Sequence, residues 1–181
     1  MNNAHEQGKD IIDRNVPLKG RAWKFGDDIS TDHIAPGRLF HLRTNLPELA
    51  KHVLEDADPD FASKMAAGDF VVGGRNFGLG SSREHAPRII KLAGVSAVLA
   101  KSFARIFFRN SINVGLPVLV CDTDKIDVGD ELEVDLVAGE IFDKTKNIKL
   151  SFAPLPPAMV KILNDDGLVA HFKKHGKLAV E

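Results

Sequence analysis

Between a short apolar run, Phe70-Val71-Val72, and an apolar pattern at helical spacing, Ile89, Ile90, Leu92 and Ala93, the chain carries Gly73-Gly74-Arg75-Asn76-Phe77-Gly78-Leu79-Gly80-Ser81-Ser82-Arg83-Glu84-His85-Ala86-Pro87. The run predicts a buried strand and the pattern a helix, so the stretch between them is a glycine-rich strand-to-helix turn. Four glycines within eight residues let the backbone adopt positive φ and come close to a ligand. The spacing Ser81-x-x-Glu84 is that of a capping box and predicts the helix start there. A helix N-terminus offers free N–H groups and partial positive charge, and Arg83 adds a planar fork that fits a carboxylate. The stretch therefore reads as a site for a small carboxylate or phosphate.

Better-known loops fit less well. Gly78-Leu79-Gly80 opens a dinucleotide fingerprint, but Arg83 stands where its third glycine belongs, and no lysine completes a phosphate loop. Gly-x-Ser-x-Gly is not matched either. Read by residue type alone, Ser81 is a cap and His85 a packed or surface histidine.

The remaining composition narrows the function classes. At 181 residues the chain is one domain by the usual prior, long enough to bury about two-thirds of its unfolded surface. Residues 1–17 are polar and aperiodic and read as a loose tail, leaving 18–181 for a single domain. Lys plus Arg, 24, nearly balance Asp plus Glu, 25, which argues against broad nucleic-acid or membrane-surface binding. The N-terminus lacks the apolar core of a signal peptide and no apolar run approaches membrane length, so a cytoplasmic location is the default. The one cysteine, Cys121, excludes an internal disulfide and reads as a buried small hydrophobe. It cannot by itself hold a cysteine-ligated iron–sulfur cluster, and no metal site is read from the chain.

Along the chain, Arg21–Phe25, Ala97–Ala100 and Pro117–Val120 read as strands, and Ser30-Thr31-Asp32-His33 as an exposed polar loop. Helices are predicted over Leu46–Glu55, Asp60–Met65, Phe103–Val114, Pro156–Leu163 and Leu168–Lys174. Phe103, Ile106 and Phe107 form a core stripe of one of them, with Arg105 and Arg109 together on one face. Glu131 to Phe152 alternates apolar and polar, with turns at Ala138-Gly139 and Lys146-Asn147, and reads as antiparallel strands. Gly167 and Gly176 stand where helix C-terminal caps belong. Arg43, just ahead of a helix, is by position a surface arginine. Strands alternating with helices, then an antiparallel section, define an α/β class.

Gly74 to Ala86 resembles the signature of the aconitase superfamily's swivelling domain. Asp28-Ile29-Ser30-Thr31-Asp32-His33-Ile34 and Ser102-Phe103-Ala104-Arg105-Ile106-Phe107-Phe108-Arg109-Asn110 agree with it in the right order. Size and order resemble the separate small subunits of 3-isopropylmalate dehydratase and archaeal-type homoaconitase, over about residues 18 to 175. The resemblance implies a swivelling β/β/α domain with a small parallel sheet and a barrel-like antiparallel part. It implies a hydro-lyase small subunit that isomerises a hydroxy acid by dehydration and rehydration. The implied partner is a large subunit holding a four-iron four-sulfur cluster, and the implied substrate a small hydroxy-carboxylate. By matching position Ser81 is the base, acting as an alkoxide. Arg83 is the substrate-carboxylate ligand, with Ser82, Thr31 and Asp32 lining the site; the aconitase branch has a serine where this chain has Ala35. The loop holding Leu42-Arg43-Thr44 faces the variable end of the substrate.

The resemblance points first to 3-isopropylmalate and leucine biosynthesis. Leu42-Arg43-Thr44 also resembles homoaconitase-like loops, where an arginine suits a second carboxylate, so homoaconitase or a dimethylmalate-type dehydratase is the alternative. Of another class are a stand-alone carboxylate-binding module and an RNA-binding role; the charge balance disfavours the second.

Overall fold

The computed structural model describes residues 16–177; the tail expected over residues 1–17 lies, as far as residue 15, outside them. In order the elements are β1 (Leu18–Lys24), α1 (Thr31–Ile34), a 3-10 segment (Gly37–Thr44), α2 (Leu46–Ala50), α3 (Phe61–Lys64), β2 (Phe70–Val72), α4 (His85–Leu92), β3 (Ala97–Ala100), α5 (Arg105–Val114) and β4 (Val118–Val120). They continue with a 3-10 turn (Thr123–Lys125), β5 (Glu131–Asp135), β6 (Glu140–Asp143), β7 (Ile148–Ser151), α6 (Pro157–Asn164) and α7 (Leu168–His175).

Strands β1 to β4 are parallel neighbours in that order. Successive side chains of a strand point to opposite faces. Val71, Val98 and Val118 accordingly enter one core, and Phe70, Val72, Ala97, Leu99 and Leu119 enter another. Both faces are covered, which is why these strands read as continuous apolar runs rather than alternations. The first core is closed by Leu49 and Ala50 of α2, Ala86, Ile89 and Ile90 of α4, and Phe107 and Ile112 of α5. The second is closed by Leu132, Val134, Ile141 and Leu150 of the antiparallel strands.

Strand β5 pairs antiparallel with the free edge of β1, and β6 and β7 follow, giving the order β4-β3-β2-β1-β5-β6-β7. Cys121, just past β4, bridges to Phe152, just past β7, so the far edges meet and the sheet curls. Helices, a parallel sheet and a barrel-like antiparallel part form the β/β/α layering implied by the resemblance. Asp69 anchors the seam between β1 and β2. Its carboxylate accepts hydrogen bonds from Trp23 Nε1 at 2.8 Å, Arg21 N–H at 3.0 Å and Ala66 N–H at 2.9 Å.

Four local expectations are corrected. The helix predicted over Leu46–Glu55 ends at Ala50, because His52 and Val53 bond only three residues back and Leu54, at φ 58°, turns its N–H to the Ile34 carbonyl. Ile106 is not in the core: the buried residues of α5 are Phe107, Asn110, Ser111 and Ile112, and Ile106 is 42% exposed on the other side. Gly167 does not cap α6. Asp166, at φ 66°, takes the left-handed position, while Asp166 N–H bonds the Leu163 carbonyl and Gly167 N–H the Ile162 carbonyl. Gly167 begins the turn into α7 instead. Ser30–His33 is not an open loop: Ser30 Oγ accepts from His33 N–H at 3.2 Å, His33 Nδ1 accepts from Ser30 N–H at 3.1 Å, and the one-turn helix α1 results.

Candidate active site

The three stretches that carry the resemblance meet beyond the carboxyl ends of β1, β2 and β3, where open α/β sheets place ligands. Backbone bonds knit them together. Gly74 N–H donates to the Gly26 carbonyl and Lys101 N–H to that of Gly74. Gly78 N–H reaches Ile29 at 2.7 Å, Thr31 N–H reaches Leu79 at 2.8 Å, and Phe77 N–H reaches Ser102 at 3.0 Å. Two glycines permit this. Gly78 has φ 80°, and a Cβ there collides with the Phe107 ring. Gly80 has φ 110°, and a Cβ there sits 3.1 Å from Thr31 Oγ1.

Thr31 is thereby buried beneath the glycine loop, 2% exposed, and its hydroxyl has no hydrogen-bond partner among the described residues. Ser81 and Ser82 are exposed at the loop's tip. Their hydroxyls, and the backbone N–H groups of Gly80, Ser81 and Ser82, donate to no described residue.

The capping box that the Ser81–Glu84 spacing allows does not form, as a base role for Ser81 requires, but the helix starts later than that spacing predicts. Helix α4 begins at His85 with no side-chain cap. Arg83 is drawn away to Asp32, and Glu84 pairs forward with Arg88, Oε1 to Nη2 at 2.9 Å, instead of reaching back. Ser81 is therefore free of a capping role, and it lies a full turn ahead of the helix whose dipole was expected to act on it.

Arg83 Nη1 lies 2.5 Å from Asp32 Oδ1 and donates a long bond, 3.4 Å, to the Ala35 carbonyl. The backbone of residue 35 thus makes the contact its methyl side chain cannot. The guanidinium carbon of Arg43 stands 4.4 Å from the centroid of the Phe40 ring, and Arg43 Nη1 donates to the Phe40 carbonyl at 3.2 Å. Arg83 approaches the same ring at 5.8 Å, and the His85 ring tilts against it at 6.4 Å. So the fold gathers Arg43, Arg83 and Asp32 around Phe40, next to the glycine loop. Thr44 ends the 3-10 segment and is exposed, with no bond to this group. Arg105 and Arg109 are exposed on α5.

Phe40 and His85 were not singled out from the sequence as site residues. Residues three apart eclipse one another in a 3-10 segment, so the spacing of Phe40 and Arg43 was a usable signal once that conformation is known. Burial, then the Arg83 and Arg43 charges, lowers the His85 pKa below its ordinary value, which keeps the imidazole neutral at pH 7.

The residues present do not fit an iron–sulfur cluster. Cys121 is buried, and burial, with the neighbouring Asp122 charge, pushes its thiol up to about 12; a cluster ligand must be a thiolate. Among the described residues no helix is long and apolar enough to cross a membrane.

A curled seven-stranded sheet with helices over one face, and a glycine loop at its strand ends, defines a domain of the aconitase C-terminal type. The pattern of the aconitase C-terminal domain family matches residues 40–123. A small subunit of 3-isopropylmalate dehydratase from Archaeoglobus fulgidus is 67% identical over 91% of this chain and 100% of its own length. One from Thermotoga maritima is 62% identical over 88% of this chain and 96% of its own. The crystal structure of 3-isopropylmalate dehydratase from Methanocaldococcus jannaschii superposes with a TM-score of 0.85 at 46% identity, covering 88% of this chain and 95% of that one. The chain belongs to the family of 3-isopropylmalate dehydratase small subunits.

Proposed function

We propose that the chain is the small subunit of a cytoplasmic 3-isopropylmalate dehydratase and works only with a large subunit that carries a four-iron four-sulfur cluster. The observation that carries this reading is the 67% identity across the full length of a small subunit of that enzyme. The words "small subunit" in the relatives' names imply a larger partner. The exposure of Ser81, Ser82 and Asp32 agrees, since the surface that closes over them then comes from another chain.

The division of labour follows from the residues. The Lewis-acid part of the chemistry is the partner's. Arg83 exchanges Asp32 for a substrate carboxylate, with Thr31 beneath and the free N–H groups of Gly80, Ser81 and Ser82 beside it. Ser81, as alkoxide, takes the proton from the carbon next to that carboxylate, and Ser82 steadies the substrate. A free hydroxyl is a poor base, so the anion has to be favoured by these N–H groups and by Arg83.

At the variable end, Arg43 is stacked on Phe40 and bonded to its carbonyl, while Phe40 stays 48% exposed. Such a surface suits an isopropyl group, with the aliphatic stem of Arg43 alongside. A distal carboxylate requires Arg43 to leave that ring, so the stacked geometry favours the apolar substrate over a homocitrate-like one.

The test is reconstitution under reducing, oxygen-free conditions. The chain alone should bind no iron–sulfur cluster and turn over no isopropylmalate, and activity should appear on adding the matching large subunit. A brown, active preparation of this chain alone refutes the reading. Saturable isopropylmalate binding with no effect of any large subunit points instead to a stand-alone carboxylate-binding module.

A further inference from the structure

At the C-terminal end of α4, away from the glycine loop, the α6–α7 hairpin assembles a second cluster. His171 and His175 are four apart on α7 and share one face, with ring centroids 4.6 Å apart. The turn through Asp166 and Gly167 brings Asp165 onto that face. His171 Nδ1 lies 2.6 Å and His175 Nε2 2.8 Å from the same oxygen, Asp165 Oδ2. The Asp165 and His171 side chains are 8% and 2% exposed, whereas His175 is 37% exposed, so the cluster is rigid at its base and open on one side.

The negative charge alone does not call for two imidazoles. Lys174 Nζ already meets the other oxygen, Oδ1, at 2.6 Å. That arrangement leaves both ring nitrogens gathered on the second oxygen, Oδ2.

We propose that Asp165, His171 and His175 bind a divalent transition-metal ion of the zinc class, through Oδ2, Nδ1 and Nε2 respectively, with water in the fourth position. Two imidazoles and a carboxylate prefer zinc, cobalt, nickel or copper to magnesium or calcium. The three ligand atoms lie within 4.8 Å of one another. Bonds of about 2.0–2.1 Å in a tetrahedron separate ligand atoms by about 3.3 Å. The His171 Nδ1–Oδ2 separation therefore opens by roughly 0.7 Å and the His175 Nε2–Oδ2 separation by roughly 0.5 Å; a turn of the Asp165 carboxylate accommodates the first and a shift of the exposed His175 ring the second.

The ion replaces the protons now shared between the rings and Oδ2, and it pins α7 to the end of α6. Asp166, beside Asp165, holds Lys91 of α4 at 2.6 Å, so the pinned hairpin also bears on the helix that starts at the glycine loop. The role is one of binding and stabilisation, separate from the dehydration chemistry.

The test uses the full-length chain without an affinity tag, titrated with ZnCl2 by calorimetry and with CoCl2 by visible absorption. The expected result is one ion per chain with a Kd of about 10 μM or tighter, a tetrahedral cobalt spectrum and a rise in Tm with saturating zinc. His175→Gln should weaken zinc binding at least about tenfold, on the scale of lost metal-site interactions. Lys174→Gln should leave the site able to bind. Absence of saturable binding overturns the proposal, and so does zinc binding by His175→Gln with wild-type affinity, which moves the ion to other histidines.

Discussion

Arg83 and Asp32 form an ion pair, Nη1 to Oδ1 at 2.5 Å, that ties the glycine loop to helix α1. Their side chains are 22% and 56% exposed, so the pair itself contributes little stability, about 0.2–1 kcal/mol. In the proposed function its value lies in holding a planar guanidinium at the place a substrate carboxylate takes. Arg83→Lys keeps the charge and loses the fork. A charge-assisted bond is worth about 1.5–3 kcal/mol, so kcat/KM should fall about ten- to a hundredfold. Unfolding midpoints should barely move. Steady-state kinetics with the reconstituted enzyme check this; an unchanged kcat/KM removes Arg83 from the site.

In the proposed function Phe40 and Arg43 set the substrate specificity. Phe40→Ala deletes the exposed ring and should raise KM for isopropylmalate several-fold, given about 1.5–3 kcal/mol for a fully buried phenylalanine and less for a partly covered one. Arg43→Val should shift kcat/KM toward apolar substrates relative to tricarboxylates. If both variants keep the wild-type ratio, the 3-10 segment carries no substrate information.

His85 gives the fold a pH dependence with a definite sign. Burial first, then Arg83 and Arg43, lower its folded pKa below the unfolded value of about 6.5. Below pH 6.5 the unfolded chain takes up a proton that the folded chain refuses. The stability is complete above pH 6.5 and is lost as pH falls toward the folded value. His85→Gln should flatten the fall in Tm below about pH 6.5 while leaving Tm at pH 8 nearly unchanged. An identical slope in both proteins contradicts this.

Asp69 holds three donors at the β1–β2 seam, one of them the indole of Trp23. Asp69→Ala strands them with no acceptor and should cost about 2–4 kcal/mol, on a scale of 1–3 kcal/mol for a single unsatisfied buried group. Chemical denaturation of the wild type and the variant measures it. A loss below about 0.5 kcal/mol, the level of an ordinary surface change, shows that water replaces the carboxylate.

Much of the fold was legible because its signals are local. Phe70-Val71-Val72 and Ala97–Ala100 announce strands buried on both faces, and Gly139 and Asn147 do take the positive φ, 71° and 55°, that their turns require. The glycine loop was legible for the same reason: Gly78 and Gly80 are needed for their backbone. What failed depends on tertiary partners. The Ser81–Glu84 spacing puts the start of α4 too early, since Arg83 between them is claimed by Asp32 and no local pattern reports that. Ser30–His33 read as solvated because its cap comes from an unusual residue, a histidine, and because Thr31 is buried by a loop from elsewhere in the chain. Phe40 gains its place from Arg83 and His85, both on the other side of β2. His171 and His175 stand at helical spacing in plain view, yet their meaning depends on Asp165, which only the Asp166–Gly167 turn brings to them.

In the proposed function Ser81, free at the tip of the glycine loop, is the base of a two-subunit dehydratase. The direct measurement is single-turnover and steady-state kinetics of Ser81→Ala, reconstituted anaerobically with the large subunit, beside a ligand-binding titration and a melting curve. Loss of a general base costs at least about 10²–10⁴-fold in turnover, and the account predicts that loss with ligand affinity and Tm close to wild type, since the Ser81 hydroxyl bonds to no described residue. Near-normal turnover with a lowered Tm would contradict it and return Ser81 to the role of a structural serine.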